Sequence, residues 1–239
     1  ESELAPLYRK GDVGCHWDNG VVTTPDGFKD AYKSFIAGGW TSISGDVSHG
    51  GQGLPSSISI AINEMLATAN WAWSMYPGLS EGAIATLEAH GTEEQKALYL
   101  SKLISGHWSG TMCLTEAHCG TDLAQMKSSA VADGDDGYRL NGTKIYISAG
   151  EHDLTENIVH IVLAKLPDAP SGTKGISLFI VPKFLPGDDG SIGMRNGVVC
   201  GSIEKKMGIH GSPTCVLHFE NAKAFLIGKP HDGMKAMFT

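Results

Sequence analysis

Residues 112–122 read MCLTEAHCGTD, and the character of the sequence changes across this stretch. Before it, apolar residues recur with helical spacing. After it, short runs rich in β-branched and aromatic residues alternate with turn residues. The stretch itself has the apolar pair Cys113-Leu114 followed by mostly small and polar residues. It is too polar for a core and too patterned for a plain linker, so it raises the question of what it binds.

The residues before this stretch predict helices. In the segment 54–72, five apolar residues fall on one helical face. They are Ile58, Ile62, Met65, Leu66 and Ala69. Residues 38–55, GGWTSISGDVSHGGQGLP, are rich in Gly and Ser and predict a loop, which could also be a plain connector.

Two further helices are predicted after a break at Pro77-Gly78. The first runs from Ser80 as N-cap to Gly91 as C-cap. The second begins at Thr92, with Gln95 three residues later in the spacing of a capping box. The chain before residue 110 is therefore predicted to be helical.

The residues after the stretch predict strands. The runs SSAVAD, GYRLNGTKIYIS, NIVHIVLAKL, KGISLFIVP and TCVLHFE have the length and composition of strands. Asn141-Gly142 predicts a hairpin turn, and DGDDG at 133–137 predicts another turn. Since no long helical pattern interrupts this block, the sequence predicts an antiparallel β-barrel or sandwich.

The predicted fold class is α+β with more than one domain. Residues 1–110 form an all-α domain whose start is expected upstream, and residues 111–226 form a middle β domain. Residues 227–239 look like the first turn of a C-terminal helical domain that is missing from this chain.

Composition and charge exclude several classes of protein. The chain has 239 residues, a formal net charge of −8 and no basic run, which disfavours a nucleic-acid partner. No apolar run is long enough for a membrane span, and the first residues lack the pattern of a signal peptide. The five cysteines are widely spaced, which predicts reduced thiols and a cytoplasmic protein. Cys113, His118 and Cys119 match no familiar zinc spacing, so no metal is predicted.

The order of motifs resembles the acyl-CoA dehydrogenase family along essentially the whole chain. The opening stretch matches T-E-x-x-x-G-[ST]-D at 115–122, and KIYISAG at 144–150 matches K-x-[WFY]-I-[ST]-x-G. Three further segments are similar to family segments in the same order: GGQGLP (50–55), HGTEEQKALYLSKLISG (90–106) and KMGIHGSPTCVLHFENAK (206–223). The insert at 186–204 and the phrase SAGEHDLTENIVH resemble the large-subunit branch that includes methylthiopropanoyl-CoA dehydrogenases.

This resemblance implies an FAD site. The family positions that would bind the cofactor are Met112, Leu114, Thr115, Gly120, Thr121, Tyr146 and Ser148. Thr121 would also contact acyl-CoA, Tyr146 would stack on the flavin where many relatives have Trp, and Ser148 would donate toward flavin N5. Glu116 would be a structural acceptor.

Each of these residues also has an ordinary structural explanation. Thr115 and Ser148 could be turn or cap hydroxyls, and Tyr146 could be a strand aromatic that packs on its neighbour. Ala117 replaces the usual Pro, and His210 stands where many relatives have Arg.

The resemblance implies FAD-dependent α,β-dehydrogenation of an acyl-CoA thioester, with an electron-transfer flavoprotein as acceptor and a homodimer or homotetramer as the full-length form. The catalytic Glu of the family would lie beyond Thr239, so no catalytic residue is predicted in this chain and no turnover is expected from it alone. An acyl-CoA oxidase and a non-catalytic paralogue that has lost flavin are the alternatives.

Overall fold

The computed structural model describes residues 2–134 and 137–238. The helices are α1 (Tyr8–Val13), α2 (Phe28–Ala37), α3 (Ser56–His90), α4 (Glu93–Ile104) and α5 (Gly233–Met237). The strands are β1 (His16–Asp18), β2 (Val21–Thr23), β3 (Trp108–Cys113), β4 (Ser129–Ala132), β5 (Tyr138–Ser148), β6 (Asn157–Lys165), β7 (Ile176–Pro182), β8 (Phe184–Pro186), β9 (Ile192–Arg195), β10 (Val198–Ile203) and β11 (Thr214–Ile227). The helical part also contains the short hairpin β1–β2, which the sequence did not predict.

The long helix α3 bends at Asn70 and not at the predicted break. Asn70 has non-helical angles (φ −161°, ψ 94°), and its side chain accepts a hydrogen bond from the backbone N–H of Trp73. Asn70 thus caps the second half of α3. Pro77 lies within this second half, and Ser80 is a buried helical residue whose Oγ accepts a hydrogen bond from the N–H of Gly110, so the predicted N-cap at Ser80 is wrong.

The capping box predicted at α4 is confirmed. The Thr92 side chain accepts a hydrogen bond from the Gln95 N–H, and the Gln95 side chain accepts one from the Thr92 N–H. Gly91 is the C-cap of α3, as predicted, in an extended conformation. The predicted apolar face of 54–72 is only partly buried, because Ile58 and Met65 are exposed.

The predicted order of a helical part followed by a β part is confirmed, but the β part is a seven-stranded mixed sheet and not the predicted antiparallel barrel or sandwich. Strands β3 and β6 pair in parallel along their length, and β4 meets β6 in parallel at one position. The hairpin formed by β4 and β5 carries the chain between β3 and β6, which lets β6 run in the same direction as β3 without a crossover helix. The other pairings are antiparallel, and together with the parallel β4–β6 contact they close a path β11–β5–β4–β6–β7–β11.

The predicted hairpin turn at Asn141-Gly142 is wrong, because both residues lie inside β5. Asn141 Oδ1 accepts a hydrogen bond from the N–H of Asn221, where the register between β5 and β11 shifts. A Cβ on Gly142 would lie 2.9 Å from the Cα of Ser128, so glycine allows close backbone approach at this position. Of the predicted turn at 133–137, Asp135 and Asp136 lie outside the described residues.

The helices pack on one side of the sheet. The contact buries Leu100 and Leu103 of α4 against Trp108 of β3 and Ile161 of β6. A second buried cluster, which includes Phe179 and other residues of the closed path of strands, fills the sheet interior. All five cysteines are free thiols. In the described parts of the chain, no helix is long and apolar enough to cross a membrane.

Candidate functional site

The opening stretch forms a tight loop at the carboxyl end of β3. Glu116 and Cys119 exchange two backbone hydrogen bonds of 2.8 and 3.0 Å, which places Ala117 and His118 at the tip. Gly120 then passes beside Thr115, since a Cβ at Gly120 would lie 3.2 Å from Thr115 Cγ2. A side chain at Gly120 would force Thr115 to move by a few tenths of an ångström, so glycine favours this close approach. We call residues 114–121 the cradle loop.

A buried ion pair lies beneath the cradle loop. Lys144 of β5 is fully buried, and its Nζ lies 2.9 Å from Glu116 Oε1 and 3.0 Å from the backbone oxygen of Leu114. The Glu116 carboxylate also accepts hydrogen bonds from the N–H groups of Lys127 and Ser128, at 2.8 and 3.0 Å. Burial by itself would raise the pKa of Glu116, but the Lys144 charge and these hydrogen bonds outweigh it and hold the pKa at about 2. Glu116 is therefore a structural acceptor, as predicted.

The end of β5 lies against the cradle loop. The N–H of Ile145 donates to the backbone oxygen of Thr115 at 2.9 Å, which joins the two segments. Tyr146 follows with a left-handed φ of 59°, an unusual conformation for an aromatic residue, and its side chain is 61% exposed. Backbone strain of this kind is concentrated at functional sites. Ser148 ends β5 opposite Thr214 of β11.

The structure thus brings Thr115, Gly120 and Tyr146 together. Thr121 follows Gly120 and is exposed. Met112, half-buried near the end of β3, points toward α3, where a Cβ at Gly82 would lie 3.6 Å from its sulfur. Leu114 is half-buried and packs against the core shared by the helices and the sheet.

Asp122, the last residue of the motif at 115–122, has a capping role. Its carboxylate accepts hydrogen bonds from the Ala124 N–H and from the Gln125 side chain, and so caps the short 3-10 turn Leu123–Gln125. The Lys165 ammonium group of β6 donates to the Ala124 backbone oxygen at 2.7 Å, which fixes this turn to the sheet.

The loop also gathers three side chains of metal-binding type, since ligand atoms of Glu116, His118 and Cys119 lie within 4.8 Å of one another. The Glu116 charge is already neutralised by Lys144, and His118 Nε2 lies 3.0 Å from the Gln125 backbone oxygen. We assign no metal to this group.

Two family models match the chain. The acyl-CoA dehydrogenase N-terminal domain matches residues 15–107, and the acyl-CoA dehydrogenase middle domain matches residues 111–222. The chain belongs to the acyl-CoA dehydrogenase family. The family predicted from the motifs is thus confirmed, and the cradle loop lies within the middle-domain match.

Named relatives agree with this assignment. The chain is 47% identical over 98% of its length to the 3-methylmercaptopropionyl-CoA dehydrogenase of Ruegeria pomeroyi, of which it spans 40%. A chain in a solved structure of the electron transferring flavoprotein of Acidaminococcus fermentans superposes with a TM-score of 0.79 and 29% identity, covering 98% of this chain and 56% of that one. An acyl-CoA dehydrogenase complexed with FAD from Bacillus anthracis superposes with a TM-score of 0.73 and 28% identity, covering 89% of this chain and 34% of that one.

Sequence reasoning gave no role to Lys144 or to the buried polar residues inside the sheet. Glu151 is buried and pairs with Lys183 and with Arg195. His152 and His160 are also buried. Two of these residues left a signal in the sequence. His160 interrupts the apolar run NIVHIVLAKL, and Lys144 occupies an inward position of a predicted strand.

A cavity of about 410 Å³ lies among α2, α3 and α4 and is lined by both carboxylates and hydroxyls, including Glu81, Glu88 and Ser59. None of the predicted site residues lines this cavity. The candidate site is therefore the cradle loop with the end of β5.

Proposed function

We infer that this chain provides the flavin-binding surface of an enzyme that catalyses FAD-dependent α,β-dehydrogenation of an acyl-CoA thioester. One observation carries this proposal: Tyr146, which is distant in sequence from Thr115 and Gly120, lies beside their loop on a strained strand end, because the Ile145 N–H donates to the Thr115 oxygen. The names of the relatives support the same reaction class.

The residues at this surface fit a planar, hydrogen-bonding ring. In the described residues, no protein hydrogen bond occupies the hydroxyl of Thr115, Thr121 or Ser148, so all three are free to meet a ligand. The Tyr146 ring is exposed although its strand lies in the middle of the sheet, so it offers an open face for stacking. Gly120 leaves the backbone accessible.

We assign roles on this basis. Met112 and Leu114 would line the flavin, the Thr115 backbone and hydroxyl would meet its pyrimidine edge, and Tyr146 would stack on the ring. Ser148 would donate toward flavin N5. Bound FAD would supply the acceptor for the hydride that leaves the β carbon of the acyl group.

Thr121 would lie near the cofactor pyrophosphate and the acyl-CoA, where a hydroxyl can donate to either group. Gly120 would let the backbone approach the cofactor closely. Donors aimed at the ring edge favour the reduced cofactor because they meet the negative charge that develops there.

Glu116 is the one carboxylate of the cradle loop, and it is a poor proton acceptor. Its low pKa and its pairing with Lys144 leave little tendency to bind a proton near neutral pH. Glu116 is therefore not expected to remove the α proton.

The chain spans about two fifths of the length of the curated relative described above, so substrate and partners concern the longer protein. We propose a thioester of coenzyme A as substrate, an electron-transfer flavoprotein as acceptor, a homodimer or homotetramer as the assembly and a cytoplasmic location. The name of the Ruegeria pomeroyi relative makes 3-methylmercaptopropionyl-CoA the first substrate to test.

The direct test is the visible absorption spectrum of the purified chain titrated with FAD. We expect a perturbed flavin band that saturates as FAD is added, and no oxidation of acyl-CoA by the chain alone. A spectrum identical to free FAD would contradict flavin binding by this chain. Rapid reoxidation of the reduced flavin by oxygen would favour an oxidase.

A further inference from the structure

The cradle loop is fixed to β5 through three consecutive residues. The Leu114 oxygen accepts a hydrogen bond from Lys144 Nζ, the Thr115 oxygen accepts one from the Ile145 N–H, and the Glu116 carboxylate pairs with Lys144. The next residue of β5 is Tyr146. The position of the Thr115 hydroxyl relative to the Tyr146 ring therefore depends directly on these contacts.

Glu116 extends this connection to the segment that follows the loop. Its two carboxylate oxygens accept hydrogen bonds from the Lys127 and Ser128 N–H groups just before β4. The start of the cradle loop, 114–116, and the later segment 127–128 are thus held by one carboxylate and one ammonium group. Glu116 is 4% exposed and Lys144 is fully buried, so water does not compete for these bonds.

A contribution to folding stability does not explain such a pair well. Burying two charges costs desolvation free energy that their attraction often only offsets, and apolar replacement of both partners can leave a protein as stable as before. The more exposed ion pair between Arg139 of β5 and Asp133, which follows β4, shows that β5 also carries a charge pair outside the sheet interior. Apart from the bond that joins the two side chains, the hydrogen bonds of the buried pair end on backbone atoms around the candidate site.

We propose that Glu116 and Lys144 are positioning residues for the flavin. They hold the backbone of Leu114, Thr115 and Glu116 in its binding conformation before FAD arrives. This inference rests on the proposed function, because it assumes that the cradle loop binds FAD. Preorganisation lowers the conformational cost of binding, so its loss weakens affinity even where the fold survives.

The experiment compares five forms of the whole chain: the parent, Glu116→Gln, Lys144→Met, the double variant and Arg139→Gln as the matched control. FAD dissociation constants are measured by quenching of flavin fluorescence, and stability by thermal unfolding. Each single variant leaves a buried group without its partner, so both are expected to unfold at lower temperature. The double variant should regain most of the lost stability but still bind FAD at least tenfold more weakly than the parent.

A double variant that binds FAD within twofold of the parent would overturn the proposal, since the pair would then matter only for folding. Arg139→Gln should leave the FAD dissociation constant within twofold of the parent. An equal loss of affinity in Arg139→Gln would also overturn the proposal, because any ion pair of β5 would then have the same effect.

Amide hydrogen exchange without cofactor separates this inference from the proposed function. Loss of the pair should accelerate exchange of the Lys127 and Ser128 amides in the double variant, while the amides of β6 stay protected. If the parent binds no FAD, the proposed function fails for this chain. Unchanged exchange at Lys127 and Ser128 would separately refute the positioning role.

Discussion

Acidification from pH 7.5 to 5.5 should destabilise this protein through two buried histidines. His152 Nε2 lies 3.0 Å from Ser109 Oγ, and His160 Nδ1 lies 2.8 Å from Thr111 Oγ1. His152 Nδ1 accepts a hydrogen bond from the Leu154 N–H, so the neutral ring carries its proton on Nε2. A second proton on Nδ1 would face another N–H. Burial, reinforced by the nearby Lys183 charge, lowers the pKa of both rings to about 3.

The coupling between proton binding and folding gives the sign and size of this loss of stability. The unfolded state has the ordinary histidine pKa near 6.5, so below that pH it binds protons that the folded state excludes. Each histidine then lowers the free energy of unfolding by about 1 kcal/mol per pH unit as the pH falls from 6.5 toward the folded pKa. Between pH 7.5 and 5.5 the two rings together should cost roughly 3 kcal/mol. Loss of the Glu116 contribution begins only below the ordinary pKa of its carboxyl group, 4.5.

Denaturant unfolding at pH 7.5, 6.5 and 5.5 measures this effect. In the variant His160→Asn, the difference in unfolding free energy between pH 7.5 and 5.5 should fall by about half. The matched control is His107→Asn, at an exposed position, which should leave that difference unchanged. An equal pH dependence in the parent and in His160→Asn would refute the assignment of this loss of stability to the buried rings.

Two predictions address the cradle loop directly. Gly120→Ala places a methyl group 3.2 Å from Thr115 Cγ2, which must move by a few tenths of an ångström, so FAD should bind about tenfold more weakly. Adding Thr115→Ser removes Cγ2 and should restore FAD affinity, measured by quenching of flavin fluorescence. If affinity is not restored, the contact between the added methyl group and Thr115 is not the cause of the weaker binding. Tyr146→Gly should raise the unfolding free energy by up to about 1 kcal/mol, because glycine accepts the left-handed φ without strain, while FAD affinity falls. A Tyr146→Gly variant with unchanged FAD affinity would show that the ring does not contact the flavin, and Tyr146→Phe serves as the control that keeps the ring.

Whether a feature could be predicted from sequence depended on how far apart its interacting residues lie along the chain. The capping box at Thr92 and Gln95 is local, and it was predictable because both partners lie within one helical turn. The break at Pro77 was predicted from an equally local rule, but tertiary contacts moved it to Asn70, whose side chain also donates to the Leu4 oxygen. The turn predicted at Asn141-Gly142 failed for the same reason, since β11 and Ser128 keep β5 extended through it.

At the candidate site, too, some features could be predicted from sequence and others depended on tertiary contacts. The motif around Thr115 and Gly120, and the strand containing Tyr146 and Ser148, were found from sequence because a family resemblance carries residue identity and order. Sequence did not predict that Lys144 would lie buried beneath the loop, since a separation of 28 positions between Glu116 and Lys144 says nothing about their distance in space.

The sequence by itself determined that a helical part precedes a β part, where α4 begins and which residues are candidates for the flavin site. These properties depend on side-chain period, capping and composition, which act over a few residues. Only the tertiary structure decided that β3 and β6 run in parallel, that His160 pairs with Thr111 across 49 residues and that one buried ion pair holds the cradle loop to β5. These features arise when distant segments are buried together, because removal of water is what makes a paired charge or a hydroxyl–imidazole contact specific.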